Sequence, residues 1–311
     1  MATQFNNGIH HITVLAGDAQ RNVDFYVKTL GMRLVKKSVN QDEPGVYHLF
    51  YGNADGSPGS GLTFFPFSMA RQGKPGLGEA VTVSLLVPQH SQDFWAEHLA
   101  KEGIDFDGPY DRFGYEAMGF RDPDLLHLEL VFSDEADELP GWEGSTLSPE
   151  HTIRGFWGTT LRLDDHRATA EVLTHVFGFE EAEQAENLYH YTTDAPIGNH
   201  VIIEEGEPKP SANGRRTIHN VAFRTKDEEM QKAMRQKVIE MGMQPTQIID
   251  RHWFRSVYFM SPGGVLFEIA TDGPGYDVDE SADKLGEQLI LPPWLESQRD
   301  RIEKRLPELS Y

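Results

Sequence analysis

What most constrains the folding of this 311-residue chain is that one short pattern occurs in it four times. Residues 11–18 read as an alternating strand ending in Asp18. A helical stretch follows, with Val23, Phe25, Tyr26 and Leu30 at helix spacing and Gly31 offering a C-cap. Residues 219–227 repeat the strand and end in Asp227, and a second helix runs through Met230, Met234 and Val238 to Gly242. Two further copies lie between these. One has a strand at 80–88 and a helix ending near Gly103; the other has a strand at 156–164 and a helix ending near Gly178. After each helix come apolar, β-rich runs with room for three strands, and Pro262-Gly263-Gly264 marks a hairpin.

A unit repeated in this way cannot bury its apolar face alone and must stack on its copies. The reading is an α+β chain of four βαβββ modules at 8–67, 79–132, 152–206 and 216–271. Pro/Gly-rich or acidic connectors separate them at 74–78, 134–149 and 208–215. Grouped by chain order, the modules give an N-terminal domain at 1–140 and a C-terminal domain at 150–275. A helical tail at 276–311 carries Leu295, Ile302 and Leu306 on one amphipathic face, packed back on the body.

The chain has no cysteine, which excludes disulfides, thiolate metal sites and cysteine nucleophiles, and fits a reducing cytoplasm. A net charge of −21 repels phosphate backbones and anionic lipids, so neither nucleic acid nor membrane is an expected partner. Residues 1–8 lack the basic and apolar regions of a secretory signal, and no run of about 18 apolar residues occurs that could span a bilayer. No phosphate-binding loop, dinucleotide fingerprint or serine-nucleophile elbow is found.

The segments Gly8-Ile9-His10-His11-Ile12-Thr13, Phe25-Tyr26 with Lys36-Lys37, and Tyr47-His48-Leu49 carry a resemblance over nearly the whole chain. So do Ile218-His219, Asp250-Arg251, Tyr258 through Glu268, and Leu291-Pro292-Pro293-Trp294-Leu295. In these the sequence resembles the vicinal oxygen chelate superfamily, the glyoxalase and extradiol dioxygenase group, and within it the four-module dioxygenases that cleave hydroquinones. The resemblance implies curved mixed sheets forming two half-barrels whose concave faces enclose a metal. It implies a reaction between a small dihydroxyaromatic and O2, in a protein compatible with a homo-oligomer.

An oxygen-activating iron leaves coordination positions open, and two imidazoles with one carboxylate meet that need. The first-strand position holds His11 in module one and His219 in module four, while the other two modules offer Val81 or Thr82, and Trp157. The last-strand carboxylate is Glu268 in module four. Glu129 in module two is its rival, read as a salt-bridging leftover of duplication. The expected ligands for Fe(II), with Mn(II) as an alternative, are therefore His11, His219 and Glu268. The 49 residues between the last two suit one helix and three strands.

Thr13, two residues past His11, should face the same cavity. His10 should face away from it, supporting the site from behind. In the resembling enzymes a basic residue and a tyrosine near the iron orient the substrate and assist proton movement, which points to Arg251 and Tyr258. A four-residue hairpin at 261–264 would put Val257 opposite Glu268, so turning Tyr258 inward requires a bulge. Those enzymes also place a histidine before the later metal ligand, where this chain has Ile218. Its acid/base role is then absent or passes to His10, Tyr258 or His252. Two other functions suit the fold: a glyoxalase-like lyase or isomerase, which usually adds a fourth protein ligand, and a non-enzymatic binder of small molecules.

Overall fold

The computed structural model describes residues 7–311. Module one is β1 (Ile9–Ala16), α1 (Ala19–Val23), β2 (Arg33–Val39), β3 (Tyr47–Gly52) and β4 (Gly61–Pro66). Module two is β5 (Glu79–Pro88), α2 (Gln92–Lys101), β6 (Phe106–Arg112), β7 (Tyr115–Arg121) and β8 (His127–Ser133). Module three is β9 (Gly155–Leu163), α3 (Arg167–His175), β10 (Glu180–Ala185), β11 (Leu188–Thr192) and β12 (His200–Glu205). Module four is β13 (Ile218–Thr225), α4 (Glu228–Glu240), β14 (Ile249–Asp250), β15 (Phe254–Met260) and β16 (Leu266–Pro274). Each copy is one strand, one helix and three strands. Asp18 and Asp227, the acids that end the first strands, cap the following helices by accepting from the Arg21 and Met230 amides. Gly31, Gly103, Gly178 and Gly242 leave the helices at φ between +66° and +84°, the left-handed region that glycine enters without a Cβ clash.

The modules build two eight-stranded mixed sheets. The first runs β14-β15-β16-β13-β1-β4-β3-β2 and the second β10-β11-β12-β9-β5-β8-β7-β6. Module one therefore pairs with module four through antiparallel β1 and β13, and module two pairs with module three through β5 and β9. The chain-order grouping into 1–140 and 150–275 is cut across by this pairing. Copies of one unit offer interchangeable edges, so the connectors decide who pairs with whom. Residues 67–78 and 206–217 carry the chain between the sheets side by side, bridged at Gln72–Arg215 and Lys74–Ala212.

Alternation gives each sheet one face for the core. Ile12, Val14, Val221, Phe223, Phe267 and Ile269 of the first sheet join Val83, Leu85, Leu128 and Leu130 of the second in one cluster, together with the inner faces of the helices. Each such fully buried side chain contributes roughly 1.5–3 kcal/mol. The opposite face of the first sheet, with His11, Thr13 and Leu15 on β1, is left to line a cavity. No helix among the described residues is long and apolar enough to cross a membrane.

The tail carries less helix than the helical tail expected over 276–311. Only Arg299–Glu303 is α-helical, after a short 3-10 turn at Glu296–Gln298. The rest is a strap with two further 3-10 turns, Tyr276–Val278 and Ala282–Lys284, and Leu291, Leu295 and Ile302 bury against Val39 of β2. The prolines at 292 and 293 remove backbone donors and restrict the residues before them, which keeps the helix from starting earlier. At the strap's beginning Asp279 accepts from the Nζ of fully buried Lys36 (2.6 Å) and from the Trp253 indole (2.9 Å).

Candidate active site

Two register shifts in the β1–β13 ladder shape the site. Between the pairs Ile9–Phe223 and His11–Ala222, β1 carries one residue too many, which is His10. Between Thr13–Asn220 and Val14–Ile218, β13 carries one too many, which is His219. A bulge lets consecutive side chains share a face. His10 consequently turns toward His11 instead of away from it, and the two Nδ1 atoms stand 2.9 Å apart with the rings edge to face. The expectation for His10 is corrected in direction, and its contact with His11 is direct. Burial and the neighbouring His11 hold the His10 imidazole well below its ordinary pKa, so it is neutral.

His11 Nε2 faces Glu268 Oε2 at 3.2 Å, and both residues are buried. Glu268 also accepts from Ser256 Oγ (2.5 Å) and Asn220 Nδ2 (2.8 Å). Burial pushes this carboxyl up, but His11, the Ser256 hydroxyl and Arg251 outweigh burial and hold it below its ordinary value.

His219 does not complete the trio. It is exposed at the cavity mouth, and its Nδ1 meets the Asn220 carboxamide oxygen at 2.7 Å, one amide away from Glu268. Seven residues separate His11 from Asp18 but eight separate His219 from Asp227, and the bulge at His219 absorbs the difference. Counted from the helix caps, the counterpart of His11 is therefore Asn220. Among the described residues the metal-type trio with ligand atoms within 4.8 Å of one another is Asp165, His166 and Glu205. It lies outside this cavity at the start of α3, where Arg167 already pairs with Asp165 and His166 with Glu205.

Tyr258 sits directly across from Glu268, without the bulge that a four-residue turn would require. The turn is instead three residues, 262–264, closed by the Ser261 amide on Val265 O (2.9 Å). Gly264 at φ +92° makes that odd-length turn possible and moves the pairing by one residue. Arg251 donates from Nε to the Tyr258 hydroxyl (3.3 Å), lies over its ring, and reaches Asp42 with its far nitrogen (3.2 Å). Burial and the nearby Glu268 raise the Tyr258 pKa, so the phenol keeps its proton.

Thr13 lines the cavity as its spacing predicts, and accepts from Thr63 Oγ1 at 3.0 Å. Thr63 in turn meets His48 Nε2 at 3.0 Å. His48 is the site residue that repeat counting misses, because it has no counterpart histidine in another module. Its signal was strand alternation, which puts it on the same side of β3 as Phe50. His252 does not line the cavity and pairs with Asp279. Ile218 is buried in the core. The cavity measures about 460 Å³, and Phe50, Phe65, Phe67, Trp253 and Phe254 provide aromatic walls.

In the second sheet Glu129 occupies the last-strand position but is enclosed, accepting from Ser84 Oγ (2.6 Å) and the Tyr110 hydroxyl (2.8 Å) and pairing with Arg112 (2.9 Å). The salt-bridging role expected of it is what the structure shows.

A sequence profile of the Glyoxalase/Bleomycin resistance protein/Dioxygenase superfamily matches residues 8–130 and 155–269. MhqO of Bacillus subtilis (strain 168), which carries the name of a ring-cleaving dioxygenase, is 39% identical over 302 residues, covering 96% of this chain and 95% of its own. Chlorohydroquinone/hydroquinone 1,2-dioxygenase of Sphingobium indicum is 34% identical, covering 95% and 94%. A crystal structure described as a dioxygenase from Bacillus subtilis superposes with a TM-score of 0.93 at 37% identity, covering 97% of each chain. Glyoxalase I from Zea mays shares the fold at a TM-score of 0.62 and 16% identity, covering 86% of this chain and 92% of its own.

Proposed function

This chain belongs to the Glyoxalase/Bleomycin resistance protein/Dioxygenase superfamily, and we propose that it is an Fe(II)-dependent enzyme that opens hydroquinone-type rings with O2. The observation that carries this reading is the buried His11–Glu268 pair at 3.2 Å beside an aromatic-walled cavity. His11 Nε2 and Glu268 Oε2, an imidazole nitrogen and a carboxylate oxygen side by side, are donors of the kind that would hold such an ion. His219 is the third ligand in this reading, reached when its ring turns from the Asn220 carboxamide. An iron held there supplies the one-electron chemistry that lets triplet dioxygen react with an electron-rich ring.

The remaining work falls to side chains. His10 Nδ1 holds the His11 ring by its second nitrogen, the kind of contact that fixes a ligand's tautomer. The aromatic walls stack a planar ring and exclude water. Arg251, charged at any working pH, draws in a phenolate oxygen, and the protonated Tyr258 hydroxyl donates to it. In the net reaction the ring bond beside a hydroxyl-bearing carbon breaks and both oxygen atoms enter the product. The acidic, cysteine-free chain suits a cytoplasmic setting.

A glyoxalase-like lyase would want a second carboxylate at the site. The counterpart of Glu268 in module one is Thr63, paired with Thr13 as Glu268 is with Ala222, and Glu129 lies with Arg112 in the other sheet. Anaerobic loading with Fe(II), then methylhydroquinone or chlorohydroquinone and air, should give stoichiometric oxygen uptake and a ring-opened product by mass spectrometry. An iron-loaded protein that consumes no oxygen with either compound overturns the proposal.

A further inference from the structure

Three polar side chains on three adjacent strands form a line ending in the cavity: His48 on β3, Thr63 on β4 and Thr13 on β1. The heavy-atom separations are 3.0 Å at both links. Thr63 pairs with Thr13 across the parallel β1–β4 ladder and with Phe50 across the antiparallel β3–β4 ladder, so backbone register sets the spacing. Thr13 and Thr63 are buried, and the His48 ring lies against Phe50 (3.8 Å between centroids) and Phe65 (4.3 Å).

The direction of the line follows from hydrogen counting. Thr63 donates its one hydroxyl hydrogen to Thr13. Its contact with His48 must then use a lone pair, so His48 Nε2 is the donor there. Burial and the nearby His11, Arg251 and His219 disfavour an imidazolium, which agrees with a neutral ring carrying its hydrogen on Nε2. Thr13 Oγ1 already accepts, while its own hydroxyl hydrogen has no hydrogen-bond acceptor among the described residues, and the side chain lines the cavity.

We infer that His48 and Thr63 are positioning residues that polarise the Thr13 hydroxyl into a hydrogen-bond donor aimed at an oxyanion of the bound aromatic, making the site select phenolate over phenol. Donors in series strengthen one another, and a donor with fixed direction favours a charged acceptor over a neutral hydroxyl. Thr13 touches the ligand; the other two act through it. The array crosses β3, β4 and β1, whereas Arg251 follows β14 and Tyr258 lies on β15 at the other end of the same sheet. The inference rests on the aromatic-site reading above but needs no oxygen chemistry.

The probe is 4-nitrophenol, whose ionised form absorbs near 400 nm, titrated into metal-free protein beside nitrobenzene as a neutral ring of similar shape. With the wild-type protein the bound phenol should ionise at lower pH than the free phenol. Thr13→Val and Thr63→Val should each weaken nitrophenolate binding about 3- to 10-fold and reverse the ionisation shift, while nitrobenzene binds as before. Thr13→Ser, which keeps the hydroxyl, should retain the wild-type shift. If Thr63→Val does not fold, His48→Phe keeps the ring and removes the donor, and should show the same selective loss. Unchanged nitrophenolate binding in Thr63→Val and His48→Phe overturns the inference alone, as does equal weakening for nitrobenzene, which would reveal a packing role. Failure of wild-type protein to bind either ring counts against the aromatic site itself.

Discussion

The two sheets descend from one plan, and the fate of one carboxylate separates them. Glu268 and Glu129 occupy corresponding positions on last strands, and each accepts from a serine hydroxyl, Ser256 or Ser84. A tyrosine and an arginine accompany both. In the second sheet Tyr110 and Arg112 close directly on Glu129, so the charge is neutralised and the space is filled. In the first, Arg251 is turned to Tyr258 and Asp42, and the place by the carboxylate goes to His11 and Asn220. The histidine pairs differ likewise. His10–His11 borders a cavity, whereas His190–His200 is stacked under Trp157 and Phe113. A duplicated acid thus becomes a structural ion pair when an arginine reaches it. It becomes a candidate metal ligand when neutral donors surround it and leave room.

Exchanging the acids' charge breaks this comparison most directly. Glu268→Gln should cut stoichiometric iron binding and lower turnover by about 10³-fold, roughly 4 kcal/mol, read by elemental analysis and oxygen uptake. Glu129→Gln should leave iron content intact and instead destabilise the fold by about 3 kcal/mol in denaturant, since Arg112 is left beside an uncharged partner. Adding Arg112→Met should recover much of that loss, which would identify the pair as structural. His10→Phe keeps the ring but removes the contact with His11, and metal affinity should fall about 10- to 100-fold in a competition titration with little change in melting temperature.

The smallest effect concerns pH and the second sheet. Burial lowers His190 to about 4 and His200 to about 3, against an ordinary value of 6.5. The unfolded chain then takes up protons before the folded one does. This stability is complete above pH 6.5 and declines as the pH falls from there toward 4 and 3. Melting temperatures from pH 7 to 5 should drop less in His190→Phe/His200→Phe than in wild type, and parallel curves would show that another group governs acid sensitivity.

Much of the plan was legible locally. Alternation, the helix spacings, the capping acids and the terminal glycines all act within a few residues, so four βαβββ modules and the membership of His11 and Glu268 in one site could be read from the chain. What could not be read is where a strand gains or loses a residue. His10 meets His11 because of one bulge, His219 drifts to the rim because of another, and Tyr258 comes inward because the turn at 262–264 is odd in length. Side-chain direction has a period of two, so a single inserted residue reverses it, and no local propensity distinguishes the alternatives.

By itself, then, the sequence determined the units: four like modules, each with an apolar face that had to be covered, and a carboxylate at the last-strand position of two of them. Only the tertiary structure decided which modules share a sheet, which acid meets an arginine, and that Thr63 would link His48 to Thr13. The reason is physical. Periodicity and capping are properties of neighbours along the chain, whereas pairing partners and bulges are settled by competition among edges that are nearly equivalent until the whole chain has closed.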